Sequence, residues 1–160
     1  MPYYNQSTRD IATSLVLGIQ VDRATAVVPQ STNHALFTIA GGTVIMTAIL
    51  GEVTVTFGAA ACNIKLTSYP TVTTAADTDI STAVDLGTGC AVGDMISITG
   101  APGDNTLVSH KGSVQIMNYK GVVLQEGGLH LDCSTSVATA KIKWSMWYTP
   151  LEKGAYVTAA

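Results

Sequence analysis

Charge is what this chain has least of. Asp, Glu, Lys and Arg make up 12% of its 160 residues, about half the share of an ordinary soluble domain. Eleven acidic and eight basic side chains leave a net charge of −3, and the closest approach to a basic cluster is Lys141 with Lys143. A nucleic-acid binder needs several clustered cations to displace the counterions of the phosphates, so no nucleic-acid partner is expected. Aromatics are scarce too, at 6%, which argues against the aromatic platforms of a carbohydrate-active sandwich. Long apolar runs are missing. The most apolar stretch, residues 44–50, is far too short to cross a bilayer as a helix. The opening Met1-Pro2-Tyr3-Tyr4-Asn5-Gln6-Ser7 has no basic segment followed by an apolar one, so no secretory signal is read there. The expectation is a soluble protein made in the cytoplasm, with no membrane partner.

Cysteine is limited to Cys62, Cys90 and Cys133. The number is odd, the spacings are wide, and no Cys-x-x-Cys pair occurs, which leaves no zinc-knuckle or thioredoxin-like motif. Three small buried thiols in a reducing compartment are expected, in preference to one disulfide and a leftover. The histidines, His34, His110 and His130, have no metal-ligand spacing among them. Asp77, Asp79 and Asp85 lie close together but lack the density of a calcium loop. Gly87-Thr88-Gly89-Cys90-Ala91-Val92-Gly93 has the glycines of a phosphate loop. The next segment, Asp94-Met95-Ile96-Ser97-Ile98-Thr99, alternates like a strand and not like the helix such a loop requires. No Gly-x-Ser-x-Gly elbow marks a nucleophile. These residues point to a chain without catalytic residues, cofactor or metal.

Thr, Ser, Asn, Gly and Ala are abundant instead. A surface of neutral hydroxyls stays soluble but repels neighbouring molecules weakly, which suits a protein that lives inside an assembly. The length fits one domain with a real core. The dominant pattern is period-two alternation with β-branched residues, which predicts half-buried strands. Lys141-Ile142-Lys143-Trp144-Ser145-Met146-Trp147-Tyr148 is the clearest case. Ile142, Trp144, Met146 and Tyr148 are expected to face the core and Trp147 to face out, where it caps the sheet or anchors a subunit contact. Residues 35–40 and 43–50 flank Gly41-Gly42, which predicts a hairpin with a two-residue turn. After Gly51 a further strand is expected over 52–57, with Val53, Val55 and Phe57 inward. More short strands are expected over 63–69, 80–85, 94–99, 113–117, 121–125 and 129–133, punctuated by Gly and Pro. Many short strands at this spacing predict an all-β antiparallel β-sandwich over residues 21–160, with a jelly roll as one form it could take. Residues 1–20 are read as an N-terminal arm, either extended or carrying a short capped helix that Gly18 ends; a first strand packed into the sandwich is the other option.

Three segments carry a resemblance to a known family. Asp22-Arg23-Ala24-Thr25-Ala26-Val27-Val28-Pro29-Gln30-Ser31 leads into Leu36-Phe37-Thr38-Ile39-Ala40-Gly41-Gly42, and Lys143-Trp144-Ser145-Met146-Trp147-Tyr148-Thr149-Pro150-Leu151 closes the chain. From about Val21 onward the chain resembles, in pattern, the head decoration or cement proteins of tailed bacteriophages. The resemblance implies a structural virion protein on the capsid exterior that binds the major capsid protein, bridges neighbouring subunits and forms a homo-oligomer, with a trimer favoured. It implies no catalysis and no cofactor. Many modest contacts, multiplied by the oligomer, would hold it in place. Tyr3, Tyr4 and Arg9 of the arm, with Trp147, are the candidate interface residues, since Tyr, Trp and Arg are frequent anchors. A phage tail or fibre component that takes part in host attachment is the alternative, and a small sandwich enzyme or lectin built around Asp77, Asp79 and His110 is a third.

Overall fold

A computed structural model describes residues 15–58, 61–72, 76–87, 89–101, 103–105, 107–109, 121–135 and 139–160. Among the described residues twelve strands run in chain order: β1 (Ile19–Val27), β2 (Asn33–Ala40), β3 (Val44–Val55), β4 (Asn63–Pro70), β5 (Thr78–Asp79), β6 (Val84–Asp85), β7 (Met95–Ser97), β8 (Leu107–Ser109), β9 (Val122–Leu124), β10 (Gly127–Cys133), β11 (Lys141–Pro150) and β12 (Tyr156–Ala159). They form two six-stranded sheets, each antiparallel throughout. In one the order is β1-β11-β3-β7-β8, with β9 also on β3. In the other it is β12-β2-β10-β4-β5, with β6 also on β4. The protein is an antiparallel β-sandwich.

Alternation builds the core. On β11, Ile142, Trp144, Met146 and Tyr148 are all buried, as the pattern predicts. They meet Val44, Met46, Ile49 and Val53 from β3. The facing sheet supplies Leu36, Phe37 and Ile39 from β2, Ile64 and Leu66 from β4, and Leu129, Leu131 and Cys133 from β10. Side chains interdigitating from two inner faces are how aligned sandwiches exclude water. Where alternation breaks, a register shift explains it. Leu36 and Phe37 are consecutive and both buried. The register of β2 against β10 slips there, with Phe37 opposite Leu129 but Ala35 opposite His130. One extra residue on β2 forms a bulge that turns two neighbours inward.

The expected hairpin at Gly41-Gly42 does not form. β2 and β3 belong to different sheets, and the two glycines carry the chain from one to the other. Both have positive φ, at 72° and 129°, so the sequence signal for a glycine turn is right and its partner assignment is wrong. A Cβ on Gly41 would strike the carbonyl oxygen of Gly154, and one on Gly42 would sit 2.9 Å from Glu152. The glycines are needed because the connection presses against the 151–154 turn, as well as for their backbone freedom.

Other boundaries also move. The break expected at Gly51 is absent: β3 runs through it, with the ring of Trp144 lying over the space a side chain would fill. Phe57 is buried but lies beyond the end of β3. Of the strand expected over 80–85 only β6, Val84–Asp85, forms; β5 lies just before it, and Ile80 to Ala83 separate the two. There, buried Ile80 and Ser81 fix the chain by side-chain packing and by the 3.0 Å bond from Leu66 N–H to Ser81 Oγ. The strand expected over 113–117 lies outside the described residues. Sheet pairing begins at Ile19, opposite Tyr148, so the first strand joins the sandwich as an edge, preceded by Gly18 at φ 93°.

Candidate functional site

Two outer surfaces carry the chemistry that the described residues offer. The first is the outward face of the sheet built on β2, β10 and β4. Antiparallel register brings one polar residue from each strand together: Asn33 lies opposite Asp132, and His130 opposite Thr67, next to Tyr69. The Asn33 side-chain amide donates to the Tyr69 hydroxyl at 3.1 Å, and its carbonyl oxygen faces His130 Nδ1 at 3.1 Å. With the amide turned that way, Nδ1 carries the proton and donates. The Tyr69 and His130 rings are tilted 37° with centroids 4.3 Å apart. Gly128 is required beside them, because a Cβ there would enter the imidazole. Burial lowers the His130 pKa and raises that of Tyr69, so both rings are held neutral.

One step along the same face, Lys65 reaches both oxygens of Asp79 at 2.8 and 2.7 Å, with Asp132 at 3.9 Å. Thr67 Oγ1 is 2.9 Å from Asp79 and 2.9 Å from Asp132. A hydroxyl has one proton, so it serves one carboxylate at a time. Lys65 holds the Asp79 carboxyl below its ordinary range and is itself raised by it. Asp132 Oδ1 is buried without a hydrogen-bond partner. Among the described residues no group of three or more acidic, His or Cys side chains is arranged to hold a metal ion. The acidic stretch read from the sequence is divided between structural roles. Asp79 pairs with Lys65, while Asp85 accepts the backbone N–H groups of Cys62 and Gly87 at 2.8 and 2.7 Å, which lower its pKa. The Gly87–Gly93 loop is a turn into β7, closed by the Asp94 carboxylate on Ala91 N–H at 2.8 Å.

The second surface is the free edge and outer face at β1. Leu15 and Val16 are 80% and 79% exposed, and Ile19 and Val27 at the two ends of β1 are also exposed. Among the described residues β1 pairs with β11 on one side only, which makes it an edge strand of that sheet. Arg23 guards part of that edge by donating from Nε to the Ala160 carbonyl at 3.1 Å. Asp22 accepts from Ser145 Oγ at 2.6 Å and from Gln20 at 2.9 Å, and its pKa is lowered by those bonds. Trp147 is on this face, opposite Gln20 on β1 and Ala48 on β3. It is half-buried, Ala48 beside it is fully buried, and its indole Nε1 is buried without a hydrogen-bond partner. Trp147 therefore caps the sheet, and it leaves one strong donor unsatisfied.

Of the candidate interface residues, Trp147 is placed on the β1 side of the sandwich. Tyr3, Tyr4 and Arg9 lie outside the described residues, as does His110. The network of Asn33, Lys65, Thr67, Tyr69, Asp79, His130 and Asp132 has no signal in the sequence, because strands far apart in the chain contribute it. The three cysteines are free and buried. No protein-family model, curated protein or solved structure matches the chain.

Proposed function

We propose that this chain is a non-catalytic structural virion protein that binds the outer surface of a phage capsid and braces contacts between major capsid protein subunits. The observation that carries the reading is the run of exposed apolar side chains, Leu15, Val16 and Ile19, where the chain enters β1. Leu15 and Val16 lie side by side just before β1, and Ile19 opens that strand; all three side chains are exposed. Exposed apolar groups joined to an open strand edge favour burial against another protein. The low charge of the chain supports close packing within a lattice, because like-charge repulsion between crowded copies is small. A homotrimer would multiply each modest contact.

The test uses shells assembled without this chain. The purified protein should co-sediment with them, and light scattering should give the mass of a trimer. Replacing Leu15 and Val16 together by Asp should cut shell occupancy about tenfold or more. The melting temperature should stay within a degree or two, because neither side chain is in the core. Deleting the residues before Asp10 should weaken shell binding and leave the fold intact. A monomer indifferent to shells would overturn the proposal and favour the reading as a tail or fibre component.

A further inference from the structure

Cys62 and Cys133 are far apart in the chain and adjacent in the fold. Cys133 is the last residue of β10 and Cys62 immediately precedes β4, its hydrogen-bonded neighbour. The ladder continues past the strands, with Ser134 N–H donating to the Asn63 carbonyl at 2.9 Å and Asn63 N–H reaching Ser134 Oγ at 3.1 Å. That register puts Cys62 diagonal to Cys133, and both side chains point into the core. Both sulfurs converge on one oxygen, the Thr135 carbonyl, at 3.9 Å from Cys62 Sγ and 3.1 Å from Cys133 Sγ. Diagonal neighbours in an antiparallel pair stand slightly farther apart than a disulfide demands. Both residues sit at strand ends, where closing the pair asks the bonds of Cys62 to Leu86 and Asp85 and of Cys133 to Thr32 to give slightly.

We propose that Cys62 and Cys133 are an oxidation site at which a low-molecular-weight disulfide converts the two thiols into an intramolecular disulfide, clipping the start of β4 to the end of β10. The Cys133 thiolate attacks the external disulfide, forms a mixed disulfide and releases one small thiolate. The Cys62 thiolate then displaces the second, so two protein thiols and one external disulfide become one protein disulfide and two small thiols. Cys133 is the attacking sulfur for two reasons. It keeps 4% of its surface exposed and borders a surface groove of about 290 Å³ together with Asn63, Lys65 and Ser134, whereas Cys62 is fully enclosed. Its thiol is also the one lowered by the contact between them, with Cys62 as the S–H donor held far up. Cys90 takes no part: burial pushes its thiol up to about 12.

The experiment treats the full chain with oxidised glutathione under native conditions, then applies denaturation, thiol counting and peptide mapping. The expected result is one free thiol, at Cys90, a Cys62–Cys133 linked peptide pair, and unchanged oligomeric mass. The oxidised chain should melt about 5 °C or more above the reduced chain, and dithiothreitol should reverse the gain. Cys90→Ala should oxidise as the parent does. Three free thiols after prolonged treatment, persistent glutathione adducts, or links that involve Cys90 would each overturn the proposal. Mapping of the parent chain decides the matter even where Cys62→Ala or Cys133→Ala does not fold.

Discussion

His130 illustrates what a single side chain contributes here. Its Nδ1–H is committed to Asn33, its ring lies against Tyr69, and its Nε2 occupies the room left by Gly128. Burial lowers its folded pKa, opposed by Asp132 and Asp77 and aided by His34. The unfolded chain therefore binds a proton at a pH where the folded chain does not. Stability is full above the ordinary histidine range near 6.5, falls as pH drops through it, and stops falling below the lowered folded value. Thermal melts between about pH 7.5 and 5 should show this slope, and His130→Gln should flatten it. Gly128→Ala should displace the imidazole and remove its contact with Tyr69, seen as a change in the Tyr69 ring resonances. Nothing in the sequence announced this arrangement. His130, Asn33 and Tyr69 become neighbours only through the pairing of three strands, and period-two alternation indicates a face but never a cross-strand partner. The same holds for Cys62 and Cys133.

Strands were legible where alternation is long and uninterrupted. β11 has a regular in-out pattern over its length, and its inward set is buried as read. Trp144 is the largest of these side chains and is 1% exposed. Trp144→Ala should cost about 3–5 kcal/mol, measured by chemical denaturation, because Gly51 opposite has no side chain to fill the void. Alternation is a poor guide where two elements meet. Gly41-Gly42 has the chemistry of a hairpin, yet local chemistry fixes only the direction change. Whether the next strand pairs back or crosses to the other layer depends on which faces remain unburied. The strand expected over 80–85 shrinks to β6, and β5 has no sequence signal, for a related reason: the stretch between them is fixed by Ile80, Ser81 and backbone bonds to β4, not by an alternating face.

At the scale of the whole molecule, composition and strand spacing indicated the two-layered architecture correctly, since a chain rich in β-branched residues and glycine turns has few other ways to bury its apolar half. The order of strands within each sheet was not readable. That order has a consequence for how the protein is made. β1 and β3 flank β11, and β2 lies between β10 and β12. Each of β1, β2 and β3 finds its principal partners only in β10, β11 or β12. Loop closure must precede almost every stabilising contact, so the layer of β1, β11 and β3 cannot close until β11 has been made, whereas β2, β10 and β4 can pair once Cys133 is in place. A nascent chain halted before Lys141 lacks both β11 and β12 and exposes the apolar faces of β1, β2 and β3 together. Pulse proteolysis of stalled chains should find β1 and β3 unprotected until β11 has emerged. The layer that carries Trp144 is therefore the later of the two to gain the strand that joins its early members.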